Sequence, residues 1–130
     1  MRSGILIVLP VILLAVPAFA HGPFDGRWGL DAEACQLKPG TSDLVPTEVH
    51  GNEIQYYESR CTIDDLVPIG GEGSSAWRVK LTCSGEGETW QGDSLFAIDY
   101  GNNQRRPQWI DIDMETGLVV VLQYCDWPQN

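Results

Sequence analysis

Basic residues are scarce in this chain, and histidine is scarcer still. The 130 residues include eighteen acids, but only eight lysines and arginines, two of them lysines, and only two histidines. The formal net charge of −10 disfavours nucleic acid and anionic membranes as partners, because both would be repelled. A basic protein or a cation is compatible with this charge, and so is a role in solubility alone.

Motifs that commonly mark catalytic and phosphate-binding sites are also missing. The sequence contains no G-x-S-x-G elbow, no G-K-[ST] loop and no G-x-G-x-x-G turn. No C-x-x-C pair is present to indicate a redox centre or a zinc site. We therefore predict that the chain is not an enzyme, and we expect no cofactor.

The one long apolar run lies at the N-terminus. Residues 5–16 follow Arg2 and precede Ala18-Phe19-Ala20, and this order of basic start, apolar segment and A-x-A site is typical of a secretory signal peptide. The run is shorter than the roughly 20 residues that cross a bilayer. We predict a signal peptide over residues 1–20, a single domain over 21–130, and a product exported to the periplasm or the medium.

The rest of the chain has the two-residue apolar period of β-strands. The period is clearest at 77–83, where apolar residues and cysteine alternate with arginine, lysine and threonine. We predict an all-β domain, a single small antiparallel barrel or sandwich of about eight strands, with one helical turn at 31–37. The predicted strands are 27–30, 47–50, 53–57, 61–67, 77–83, 94–99, 107–113 and 118–124, with a further short segment at 88–91.

Four cysteines follow the predicted cleavage site, and an even number in a short exported chain is typical of a disulfide framework. If Val67 lies opposite Trp77 in an antiparallel pair, Cys61 falls opposite Cys83, within disulfide reach. This register favours the pairs Cys61–Cys83 and Cys35–Cys125. The second pair ties the start of the domain to its end, which favours a closed barrel over a sandwich.

The same register carries one polar residue to the core side. Asp65 would lie opposite Val79, so we expect either a β-bulge there or a polar position inside the fold. In a barrel, a polar position inside the fold is a candidate ligand contact. Asp65 is therefore one predicted ligand-binding residue.

The tripeptide Gly26-Arg27-Trp28 resembles the G-x-W that opens the first strand of lipocalins and avidins, the calycin barrels. That resemblance implies a ligand held in the barrel lumen, although the T-D-Y-like segment of lipocalins is absent. The remainder is similar to small exported bacterial proteins with a tryptophan near the start and four scattered cysteines. That class carries no function to transfer.

Trp109 shares one face of its predicted strand with Asp111 and Asp113. These acids alternate with Ile110 and Ile112, as expected for a strand with one solvent-exposed face, and the segment lacks the glycine and closing glutamate of a calcium loop. Trp109 therefore either packs in the core, as is usual for tryptophan, or lies with these acids on an outer, acidic face. An aromatic side chain there would suit a basic or sugar-like partner, and Trp109 is the second predicted ligand-binding residue.

The two histidines form the only candidate metal site. Cleavage after Ala20 would make His21 the N-terminal residue, whose amine and imidazole resemble the copper ligands of histidine-brace proteins, with His50 as the second histidine. The alternative is a frayed terminal residue and an exposed residue beside a hairpin turn.

Three functions are compatible with these features, in decreasing order of support. The first is an acidic binding module for a basic protein, for instance an inhibitor of a lysozyme-like enzyme or a protease. The second is a small-ligand carrier with its site in the barrel lumen, and the third is copper binding through His21 and His50. In each case we expect a monomer.

Overall fold

A computed structural model describes residues 22–71, 73–102 and 104–126, which form a closed barrel of eight antiparallel strands. Each strand pairs with the next along the chain, and the last pairs with the first. The all-β prediction is confirmed, and of barrel and sandwich it is the barrel that forms. The strands are β1 (Gly26–Gly29), β2 (Thr47–His50), β3 (Glu53–Gln55), β4 (Arg60–Pro68), β5 (Ala76–Gly85), β6 (Glu88–Asp99), β7 (Gln108–Asp113) and β8 (Val119–Tyr124).

Two elements differ from their predicted form. The segments 88–91 and 94–99 belong to the single strand β6, because Gly92 pairs with Leu81 and the ladder with β5 continues without a break. The predicted helical turn is a short 3-10 helix at Ala34–Gln36. No helix in the described residues has the length and apolarity that crossing a membrane requires.

Both predicted disulfides are present. Cys61 lies directly opposite Cys83 on β4 and β5, with a Cα–Cα distance of 4.0 Å. Cys35 joins the 3-10 helix to Cys125, the residue after β8, with a Cα–Cα distance of 5.3 Å. The second bridge therefore fastens the segment after β1 to the end of the strand that closes the barrel.

The expected β-bulge is also present, and it changes the position of Asp65. The register of β4 and β5 shifts between Ile63 and Asp65, so Pro68 rather than Val67 lies opposite Trp77. Asp65 pairs with Lys80 and is exposed. The prediction that Asp65 contacts a ligand in the lumen is therefore wrong in its placement, because the extra residue of the bulge turns this carboxylate outward.

Aromatic side chains fill one half of the barrel. The ring of Phe24, which precedes β1, lies 5.1–5.5 Å from the rings of Trp77, Phe96 and Trp109. All four side chains are buried. We call this the closed end; the β3–β4, β5–β6 and β7–β8 turns lie at the opposite, open end.

Trp109 is fully buried, with 0% of its surface exposed. The prediction that it lies on an outer, acidic face is wrong, because the large aromatic side chain occupies the core and fixes which face of β7 points inward. Successive residues of a strand alternate between its two faces, so Asp111 and Asp113 share the inward face with Trp109. Asp111 consequently points toward the barrel interior, and Asp113 lies on the same face at the mouth, where its carboxylate contacts the β7–β8 turn.

The Gly26-Arg27-Trp28 tripeptide is important for packing at β1. Trp28 is buried and its indole N–H donates a 2.7 Å hydrogen bond to the Phe24 carbonyl. Gly26 has a φ of 127°, and a Cβ atom at this position would lie 2.5 Å from the ring of Tyr124. Only glycine satisfies both the backbone conformation and this close approach.

Candidate functional site

The open end of the barrel contains a cavity of about 410 Å³. Its walls include apolar groups from Leu81, Val120 and the Cys61–Cys83 disulfide. Its polar groups come from the β3–β4 turn, from the inward faces of β6 and β7, and from the β7–β8 turn. Because the aromatic cluster fills the closed end, this cavity is what remains of the lumen.

Asp111 lies between the filled and the open halves of the lumen. It is one inward position beyond Trp109 on β7, and it pairs with Phe96 on one side and Val120 on the other. Its Oδ1 atom is buried and has no hydrogen-bond partner among the described residues. A buried carboxylate oxygen without a partner is costly, since ionised groups in proteins are normally paired or hydrogen-bonded.

The surroundings of Asp111 disfavour its ionised form. Burial raises the pKa of Asp111 to about 6, and the negative charge of Asp113 contributes in the same direction. An interaction with the Ser94 hydroxyl partly opposes this rise in pKa. Near neutral pH the carboxyl is therefore largely ionised yet poorly stabilised, which favours the approach of a positive charge.

Tyr56, which follows β3, contributes a phenol to the same cavity. Burial raises its pKa above the ordinary value, and the nearby charge of Asp111 raises it further. The phenol therefore remains protonated at physiological pH and presents a hydrogen-bond donor and acceptor. The backbone holds this residue in place, because the Tyr56 N–H donates a 2.8 Å hydrogen bond to the Ser59 carbonyl.

Asp113 differs from Asp111 because it has partners. Its carboxylate accepts hydrogen bonds from the backbone N–H groups of Glu115 and Thr116, at 2.8 and 3.0 Å. These bonds lower the pKa of Asp113. It therefore stays ionised and keeps a permanent negative charge beside Asp111.

Further acids surround the mouth of the cavity. Asp93 and Glu115 line it, whereas none of its described lining residues is a lysine or an arginine. Glu58 and Glu86, on the two neighbouring turns, contact each other, and their hydrogen bond raises the pKa of Glu58. The open end thus combines a partly buried carboxylate inside with a negative rim, which attracts cations.

Trp90 adds an aromatic face to this acidic mouth. It lies at an inward position of β6 and is 44% exposed, unlike the buried Trp28, Trp77 and Trp109. An exposed indole near carboxylates is suited to contact an organic cation, because the ring face carries negative electrostatic potential.

The histidines proposed as copper ligands are not part of this site. The His50 side chain is 78% exposed at the closed end of the barrel, 3.8 Å from Glu48, and His21 lies outside the described residues. Within the described part of the chain, no group of three or more histidine, cysteine, aspartate or glutamate side chains could hold a metal ion. Copper binding through His21 therefore stays a prediction.

The sequence did not indicate Asp111 or Tyr56 as site residues. A signal was nevertheless present, because Trp109 and Asp111 must share a face of β7 and the burial of one brings the other inward. Comparisons of the chain with protein-family models, curated proteins and solved structures found no match. The resemblance to calycins is not confirmed by these comparisons and stays a prediction from residues 26–28.

Proposed function

We propose that this protein is a binding module for cationic groups, and that the cation enters the open end of the barrel and pairs with Asp111. The observation that carries the proposal is the buried Oδ1 atom of Asp111, which has no partner among the described residues. An ammonium or guanidinium group would supply the missing hydrogen-bond donor and the opposite charge together.

The size and chemistry of the cavity support this proposal. Its volume of about 410 Å³ lies within the roughly 300–1,000 Å³ common for small-ligand sites. Apolar walls beside a few convergent polar groups suit a ligand with an apolar body and a charged end. Tyr56 and Trp90 would contribute a hydrogen-bonding hydroxyl and a cation–π contact, respectively.

Free organic amines and the basic side chains of a protein share this chemistry. The acidic rim supports either source, because it attracts any cation toward the mouth over a distance of about one Debye length. The exposed Trp90 and the apolar walls favour a cation that carries methylene groups or a ring over a bare metal ion. A protein with accessible lysine or arginine side chains meets the same description.

The proposal is tested by titrating the folded chain with phenethylammonium and with butylguanidinium at pH 8, followed by calorimetry and tryptophan fluorescence. Phenethyl alcohol serves as the uncharged ligand. Lysozyme, titrated in parallel, tests the protein source of the same chemistry. We expect saturable binding of at least one of the cations, and much weaker binding of the alcohol.

Two aspartate variants separate the cavity from the overall charge. Asp111→Asn should weaken cation binding by at least about tenfold, the usual effect of losing one charge-assisted contact. Asp65→Asn removes the same charge from the outer face and should leave the affinity unchanged within about twofold. Equal binding by the wild type and Asp111→Asn, or no binding of any of the three cationic probes, would refute the proposal.

A further inference from the structure

One strand of the barrel extends beyond its neighbour at the open end. The last residue pair between β6 and β7 is Ser94 with Asp113, whereas β6 begins six residues earlier at Glu88. Over residues 88–92, β6 pairs with β5 on one side only among the described residues. This part of β6 is therefore a sheet edge inside an otherwise closed barrel.

The backbone of this edge has hydrogen-bonding groups directed outward. The Ile98 N–H donates to the Ser75 carbonyl on the β5 side, whereas the Asp93 carbonyl accepts from the Met114 N–H on the opposite side. Because these directions alternate along a regular strand, the N–H and C=O groups of Gln91 and Thr89 point away from β5, past the end of β7. A row of backbone N–H and C=O groups that point outward in this way can pair with an additional strand.

The edge also borders the proposed cation site. Trp90 and Gly92 lie on the inward face of β6, and both line the cavity. A neighbouring depression of about 600 Å³ meets the cavity at Leu81 and at residues 91–93. A side chain of an added strand that lay opposite Trp90 would share its face of the sheet and point into the cavity.

Charge determines which strand would fit. Glu86, Glu88, Asp93 and Glu115 lie along or beside the edge, and Lys80 on the outer face is the one basic residue that lines the neighbouring depression among its described residues. A second copy of this chain would bring the same acids against one another, which disfavours self-association. A basic segment would meet these four acids, with Lys80 on the outer face as a like charge beside them.

We infer that an extended, lysine- or arginine-rich segment of a partner protein adds to residues 88–92 of β6 as a further strand. Its main chain pairs with Thr89 and Gln91, and its alternate basic side chains enter the open end of the barrel toward Asp111. The inference rests on the proposed function, because it identifies the source of the cation, and it adds a contact that free amines cannot make.

The experiment measures fluorescence anisotropy of a labelled peptide of about nine residues that alternates lysine and threonine. A second peptide has the same sequence, but every other backbone amide is N-methylated. The methylated amides are those whose N–H groups would pair with β6. Loss of the main-chain hydrogen bonds should weaken binding to the wild-type chain by at least about tenfold. Methylation of the other set of amides is the matched control and should change the affinity by less than about threefold.

Variants of the edge give an independent readout. Gln91→Pro removes an N–H that points away from β5, so no bond of the β5–β6 ladder is lost. Gln91→Ala keeps that N–H and is its matched control. We expect the affinity for the lysine–threonine peptide to fall by at least about tenfold in Gln91→Pro and to change little in Gln91→Ala.

The outcomes separate the two proposals. Equal binding of both methylated peptides to the wild-type chain would overturn the strand-addition inference, a result that does not depend on the folding of any variant. If phenethylammonium still depends on Asp111 in that case, the proposed function stands alone. A stable dimer in sedimentation equilibrium that the peptide cannot dissociate would also overturn the inference, since a second copy would then occupy the edge.

Discussion

Replacing Asp111 by asparagine should stabilise the protein at alkaline pH and not at acidic pH. Burial raises the pKa of Asp111 in the folded state from 3.8 to about 6. Between these values the folded state binds more protons than the unfolded state, so the free energy of unfolding falls as the pH rises. A difference of about two units between the folded and unfolded pKa values lowers the free energy of unfolding by about 3 kcal/mol for a fully buried carboxyl. Because this carboxyl is only partly buried, solvent screening reduces the figure to about 2 kcal/mol.

The assay is urea unfolding of the wild type and Asp111→Asn at pH 3.5, 5, 6.5 and 8, with the disulfides intact. The stability of the variant relative to the wild type should increase by about 2 kcal/mol from pH 3.5 to pH 8, mostly between pH 4 and pH 6.5. Any effect of the asparagine side chain on stability that does not depend on pH cancels when the values at the four pH values are compared. A stability difference independent of pH, or one that favours the wild type as the pH rises, would refute the assignment of Asp111 as a destabilised buried carboxylate.

Three further results are expected. Binding of phenethylammonium should weaken by up to about tenfold for each pH unit below 6, because the neutral form of Asp111 has no charge to offer; titrations from pH 5 to 8 measure this. Gly26→Ala should lower the free energy of unfolding, measured by heat or urea, by about 2–4 kcal/mol, because the alanine Cβ would overlap the ring of Tyr124. A decrease below about 1 kcal/mol would contradict the close packing. Removing the Cys35–Cys125 bridge by double alanine substitution should lower the free energy of unfolding by about 4–5 kcal/mol, and removing Cys61–Cys83 by about 3–4 kcal/mol. The first loss is larger because the Cys35–Cys125 bridge closes the longer loop. The reverse order in urea unfolding would contradict this.

The sequence was sufficient to predict the strands and the Cys61–Cys83 bridge for local reasons. Strand alternation and turn residues are properties of neighbouring positions, and the opposition of Cys61 and Cys83 follows once one pair of strands is aligned. Even the bulge near Asp65 was visible as a conflict between polarity and register. Each of these inferences required knowledge of no more than two adjacent strands.

The functional face of β7 was assigned incorrectly for the opposite reason. Its acids indicated a solvent-exposed face, but Trp109 is bulky enough to require the core, and the ring of Phe24 completes the packing around it. Phe24 precedes β1 and is distant from β7 in the sequence, so no local pattern shows that the two rings meet. The inward position of Asp111 is a consequence of that long-range contact.

The free edge of β6 could not be predicted either. It depends on the difference in length between β6 and β7, and the sequence placed a break near Gly92 where the strand in fact continues. Pairing with β5 maintains the strand through that glycine. An edge inside a closed barrel is thus a property of three strands together.

The most direct test of the cation site is the titration of the Asp111 carboxyl carbon, observed by NMR with 13C-labelled protein in the absence and the presence of saturating phenethylammonium. We predict a pKa near 6 for Asp111 in the free protein and a clear decrease when the cation is bound, since an opposite charge stabilises the carboxylate. A pKa near 4 in the free protein, or one that the bound cation leaves unchanged, would contradict the assignment of Asp111 as the cation-binding group.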